Sequence, residues 1–253
     1  MSAATPPALA ITGATKRFGA VLALDNVDLA VHHGEVLALL GDNGAGKSTL
    51  IKCLSGVHRL DAGTISMDGR PVDIDSPATA RALGIETVYQ DLALFDNLDP
   101  VANFYAGREL AGPAWLPRGL RLMRHRDMAK ATATVLQRLQ VGIADARAQV
   151  GLMSGGQRQA IAVARAAAFA SQVVILDEPT AALGLRESRR VLDLIKRLRG
   201  GGRAVIVISH AMDHVIEIAD RAAVMRRGRK VGEEIPHADN RQRIVSLIVG
   251  GDG

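Results

Sequence analysis

The run Gly41-Asp42-Asn43-Gly44-Ala45-Gly46-Lys47-Ser48-Thr49 constrains this chain more than any other stretch. It follows Val36-Leu37-Ala38-Leu39-Leu40, a short continuous apolar segment that suits a parallel strand covered on both faces. Gly41, Gly44 and Gly46 let the backbone turn tightly and aim its N–H groups inward at phosphate oxygens. Lys47 is placed to reach β- and γ-phosphates, and the Ser48 hydroxyl to bind Mg²⁺. Helical spacing from Thr49 onward adds the partial positive charge of a helix N-terminus, which favours anions. Strand, loop and helix in this order predict a bound nucleoside triphosphate, with residues 41–49 as its cradle.

A second apolar segment, Val173-Val174-Ile175-Leu176, ends in Asp177 and Glu178. The carboxyl end of a parallel strand lies at the ligand crevice, so both acids are expected to project into the site. Asp177 is the expected Mg²⁺ partner. Glu178 is then placed to orient and polarise a water attacking the γ-phosphate. The chemistry predicted is phosphoryl transfer to water.

Met153-Ser154-Gly155-Gly156-Gln157 precedes an alanine-rich helical stretch and reads as another helix start suited to a phosphate. One site has no need of two cradles so far apart in sequence, whereas two molecules facing head to tail do. With these motifs in place, the chain resembles the ATP-binding subunits of ABC transporters from about Leu9 to about Lys230.

The resemblance implies an α/β fold: a P-loop NTPase (RecA-like) core, an antiparallel β subdomain and an α-helical subdomain inserted at about 91–165. A single ATPase domain would span 9–230, with a tail at 231–253. It implies that Phe18 stacks on adenine, in a place where the family more often has tyrosine. Gln90 would touch Mg²⁺ or the attacking water and link the site to a membrane partner. Ser154, Gly155, Gly156 and Gln157 match the signature loop. His210 follows the strand-like segment Ala204 to Ile208 and matches the switch histidine that contacts the γ-phosphate.

At one position the chain departs from the family. After Pro179-Thr180 it reads Ala181-Ala182-Leu183-Gly184, so the usual interface aspartate is glycine. This variant resembles ATPases of monosaccharide importers of the ribose, xylose and fructose type. The partners so implied are a second copy or a related ATPase, a membrane permease, and indirectly an extracytoplasmic sugar-binding protein. The implied location is cytoplasmic, peripheral on the inner face of the membrane. An importer ATPase for another solute and a non-transport ABC ATPase acting on nucleic acid remain as alternatives.

Composition bounds the rest. The chain has 253 residues, 48% of them apolar, enough for a sizeable core. Its apolar runs are interrupted by charge before the ~18–20 residues that span a bilayer, and MSAATPPALA lacks the basic and apolar regions of a signal peptide. Cys53, the only cysteine, excludes an intrachain disulfide and is expected to be a packed thiol. A formal net charge of +5 keeps nucleic acid in play, with clusters at Arg118 to Lys130 and Arg226 to Lys230, although no aromatics interleave them for base stacking. Residues 91–152 are expected to be mostly helical, and Ile244 to Val249 to pack on their own domain.

Overall fold

The computed structural model describes residues 5–113, 115, 122–143 and 145–250. Its centre is a six-stranded sheet built from β3 (Val36–Gly41), β6 (Ile85–Val88), β9 (Val173–Asp177), β10 (Ala204–Ile208), β11 (Arg221–Arg226) and β12 (Arg229–Glu234), in the order β12-β11-β3-β10-β9-β6. All neighbours run parallel except β12, which returns antiparallel on β11.

The continuous apolar runs have a direct cause. Successive side chains of β9 and β10 point to opposite faces, and both faces are covered. Val173, Ile175, Ala204 and Ile206 join one core cluster with β1 (Leu9–Phe18), β2 (Val21–Val31) and α1 (Lys47–Leu54). Val174, Leu176, Val205 and Val207 join another, against α5 (Gly155–Phe169) and α6 (Leu185–Gly200). A third cluster seats α7 (Met212–Ile218) and α8 (Arg241–Val249) on Ala38, Leu40, Ala222 and Val224. Ile244 of α8 is fully buried there, and Gly232 leaves the space that Leu247 fills. The C-terminal helix therefore packs on its own domain, as expected.

The first sheet is antiparallel, with order β2-β1-β4-β5, where β4 is Ala62–Met67 and β5 is Arg70–Val72. Asp68 and Gly69 both take positive φ at the tight turn between β4 and β5. The short helix α2 (Pro77–Ala82) then leads into β6; its start is capped by Ser76, which accepts the Thr79 N–H at 3.2 Å. Cys53 is buried, and burial pushes its thiol up to about 11, so it stays protonated and unreactive.

Among the described residues between β6 and α5, the chain is less helical than its sequence suggests. It contains α3 (Pro100–Tyr105), α4 (His125–Arg138) and a two-stranded hairpin of β7 (Ala111–Gly112) and β8 (Leu122–Met123). The helical geometry of α3 ends at Tyr105, well before the Gly112-Pro113 punctuation, where β7 closes. Asn103, fully buried, donates to the carbonyls of Phe95, Leu98 and Asp99 and accepts the Phe95 N–H, which fixes the loop after Gln90. Of the basic cluster at 118–130, Arg118 and Arg121 lie outside the described residues.

Edge strand β6 is joined to this region by charge. Arg108 donates to both carboxylate oxygens of the buried Glu86 at 2.7 and 3.0 Å, and its guanidinium lies 4.5 Å over the Phe169 ring. Removing one partner of such a pair strands the other in the protein. Arg108→Met should cost about 3 kcal/mol in urea unfolding, and the double variant Glu86→Gln/Arg108→Met distinctly less.

Candidate active site

The phosphate-loop glycines have separate reasons. A Cβ on Gly41 would stand 2.3 Å from the Met225 carbonyl oxygen, and one on Gly46 would stand 2.7 Å from that of Ala23. These two positions admit close backbone from β11 and β2. Gly44, by contrast, faces open space, and its φ of +78° is what requires glycine. Gly46, in left-handed geometry, precedes α1, which therefore begins at Lys47 rather than Thr49. The Ala45 carbonyl accepts the Gly228 N–H at 3.0 Å, so the loop is tied to the turn between β11 and β12. Lys47 bends across the loop and donates to the Gly41 and Asp42 carbonyls at 2.6 and 2.9 Å. Burial lowers its pKa, while Glu178, Asp42 and Asp177 pull the other way.

Three more elements deliver side chains to the same place. β10 lies between β3 and β9, so the loop after β3 faces the ends of β10, β9 and β6 in sequence. Asp177 closes β9, paired with Ile208. β6 stops at Val88, two residues short of Gln90, because its pairing with β9 ends at Leu176. Lys47, Ser48, Gln90, Asp177, Glu178 and His210 all line one cavity of about 470 Å³, together with Asn43 to Gly46 and Thr49. Ser48, Gln90 and Asp177 offer a hydroxyl, an amide and a carboxylate, hard oxygen donors of the kind Mg²⁺ takes alongside phosphate oxygens and waters.

Glu178 is held in left-handed backbone geometry, φ +50°, with its N–H donated to the Ile208 carbonyl at 3.0 Å. Such strain in a non-glycine residue is typical of functional positions. His210 Nε2 stands 3.2 Å from Glu178 Oε1, within ion-pair range, yet that buried oxygen accepts no hydrogen bond. The two observations fit together: the approach is close but poorly aligned, so a buried lone pair is left without a donor. Burial raises the Glu178 pKa against the opposing pull of His210, and burial likewise raises that of Asp177 against Lys47.

The structure does not bring the other predicted residues to this cavity. Ser154, Gly156 and Gln157 border a separate groove of about 430 Å³ beside α6. Ser154 and Gln157 form a reciprocal cap: the Ser154 hydroxyl accepts the Gln157 N–H at 3.3 Å, and Gln157 Oε1 accepts the Ser154 N–H at 3.0 Å. The serine proton stays free to point outward. Gly155 has only ordinary contact with Leu183, but a Cβ on Gly156 would stand 2.7 Å from Glu187. Helix packing is thus a second reason for that glycine. Phe18 sits at the cavity's rim: its strand partner Val21 lines the wall, while its own ring is 43% exposed and edge-on to His58 at 5.1 Å. Arg227 also lines the cavity, a residue the sequence marked only as one of a basic run.

The raised carboxylates have a thermodynamic sign. A carboxyl whose folded-state pKa lies above its unfolded value stabilises the fold at low pH, and loses that contribution as pH rises through the folded value. At neutral pH, ionised Glu178 therefore weighs against folding. Glu178→Gln should melt above the unsubstituted chain at pH 7 by calorimetry, and the gap should close as pH falls toward about 4.

Comparison with known proteins places this geometry. The family model described as ABC transporter matches residues 24–181. The chain is 48% identical over 229 residues to the fructose import ATP-binding protein FrcA of Rhizobium meliloti, covering 90% of this chain and 88% of that one. It is 44% identical over 244 residues to the ribose import ATP-binding protein RbsA 1 of Rubrobacter xylanophilus, covering 96% of this chain but 47% of that relative. A solved ATP-binding cassette of an ABC transporter in its ADP conformation superposes with a TM-score of 0.81 at 24% identity, over 98% of this chain and all of that one, which shows a shared fold. The chain belongs to the ABC transporter family.

Proposed function

We propose that this chain is the ATP-binding and ATP-hydrolysing subunit of an importer, with a monosaccharide as the transported solute. The observation that carries the reading is the meeting of Lys47, Ser48, Gln90, Asp177, Glu178 and His210 around one cavity at the strand ends. The sugar class rests on the likeness to a fructose import subunit and on the Pro179 to Gly184 segment.

On this reading the phosphate loop and Lys47 hold the β- and γ-phosphates, and Phe18 at the rim covers the adenine. Ser48, Gln90 and Asp177 would hold Mg²⁺, which supplies charge neutralisation at the phosphates. The Glu178 carboxylate, partly desolvated, takes a proton from the attacking water, while His210 orients toward the γ-phosphate. Pre-positioned donors around the developing charge provide most of the rate gain available in phosphoryl transfer.

Ser154, Gly156 and Gln157 face their own groove, so the loop they form with Gly155 completes a site only when a second ATPase subunit approaches head to tail. Residues 9–230 act as one ATPase unit, the insert at about 91–165 docks a membrane permease, Gln90 links the nucleotide site to that partner, and 231–253 form a tail. Among the described residues no helix is long and apolar enough to cross a membrane, in keeping with a peripheral place on the inner face beside that permease. An extracytoplasmic binding protein would choose the sugar.

A nucleic-acid-acting ATPase is the weaker reading, because the basic runs are partly spent on ion pairs. Arg124 pairs with Asp127, Arg229 with Asp25 and Lys230 with Glu233. The deciding experiment is Glu178→Gln, measured for ATP turnover and for mass with and without Mg-ATP. Turnover should fall at least ~100-fold with ATP binding retained, and the mass should double in Mg-ATP. Hydrolysis at the unsubstituted rate would remove Glu178 from its role.

A further inference from the structure

The loop that follows Glu178 is fastened at one point that neither the family's motifs nor the mechanism above employs. Thr180 Oγ1 and His214 Nδ1 lie 3.0 Å apart, and Thr180 is buried. His214 is on α7, one turn beyond the switch residue His210. Among the described residues, this is the only side-chain hydrogen bond joining residues 179–183 to another element. The remaining bonds of the loop are its own: Ala181 N–H to the Glu178 carbonyl at 3.1 Å, and Leu183 N–H to that of Thr180 at 3.4 Å.

The loop needs holding. Glu178 and Ala182 both have left-handed backbone, φ +50° and +59°. Non-glycine residues keep such geometry only when their surroundings impose it. The gap beside the bond is about 10 Å³, walled largely by Ala38, Pro179, Leu192, Val207 and Val215, at the lower end of the ~10–15 Å³ that one water requires. At the loop's far end Gly184 has no side chain to contribute, although its extended backbone (φ −68°, ψ 164°) and a neighbour no nearer than 3.8 Å would accommodate one.

We propose that Thr180 and His214 are positioning residues, a latch that makes the loop 179–183 and the His210 segment move as one body. This rests on the ATPase reading above for its consequence, though not for its existence. Glu178 begins the loop and His210 opens the segment that leads to α7, so the latch closes a ring: Glu178, loop, Thr180, His214, α7, His210, and back across 3.2 Å to Glu178. A chain without an acid at position 184 thereby retains a route from the subunit-facing loop to the switch histidine. That route runs within one subunit.

The test uses the full chain. Amide exchange at Ala181 and Leu183 should rise about fivefold or more in Thr180→Val and in His214→Leu, with α1 unchanged. Thr180→Ser, and His214→Asn, whose amide reaches the place of Nδ1, should stay within about twofold of the unsubstituted chain. In turnover, kcat should drop about tenfold in the two disrupting variants with the ATP KM within about twofold, and the double variant should be no worse than either single one. Unchanged exchange in both disrupting variants would overturn the latch, as would failure of Ser and Asn to restore it, since the pair would then be packing alone. An unsubstituted chain devoid of ATPase activity would instead count against the functional reading, and exchange would still decide the latch.

Discussion

A strand buried on both faces can present polar side chains only at its ends, and this constraint organises the molecule. β3, β9 and β10 carry apolar residues along almost their whole length because one core cluster takes alternate positions on one face and two others take the positions between them. Their carboxyl ends are the first places where lysine, carboxylates and histidine become affordable. Since β10 is flanked by β3 and β9, those ends sit side by side. The chemistry gathers there as a result of the sheet order, and the glycines at 41 and 46 only let the loop fit against Met225 and Ala23.

The same burial sets the character of the charges. Lys47 is pulled toward its neutral form, and Asp177 and Glu178 toward theirs, so each charged group is in some need of the others. Lys47 meets that need with backbone carbonyls. Glu178 does not meet it, since one oxygen is buried with no hydrogen bond although a histidine stands near. A polar atom left in this state is a cost to the fold and a resource for a reaction that brings its own donor.

Much of this was legible in the sequence, for physical reasons. The Gly41 to Thr49 loop and the Asp177-Glu178 pair are local patterns attached to strands whose apolar runs have one reading, so their place at the sheet edge followed. His210 was legible only because a strand preceded it. The two-stranded hairpin within residues 111–123 was not, because two-residue strands leave no periodicity. Arg227 on the wall, Gly156 against Glu187 and Thr180 against His214 were also hidden. Each depends on elements that are distant in sequence meeting in space, which spacing cannot report. Residues that combine in one cavity could be named from motifs, but their supports could not.

The separation of the 470 Å³ cavity from the groove beside Ser154 has a kinetic consequence. On the head-to-tail reading, neither half-site can act within its own chain, so turnover in free solution is second order in protein and fades on dilution. Whatever holds two copies facing each other then raises their effective concentration without adding a single contact to the nucleotide. A permease with two cytoplasmic docking points would do this by spacing alone, and the membrane partner would govern ATP consumption simply by where it places its guests.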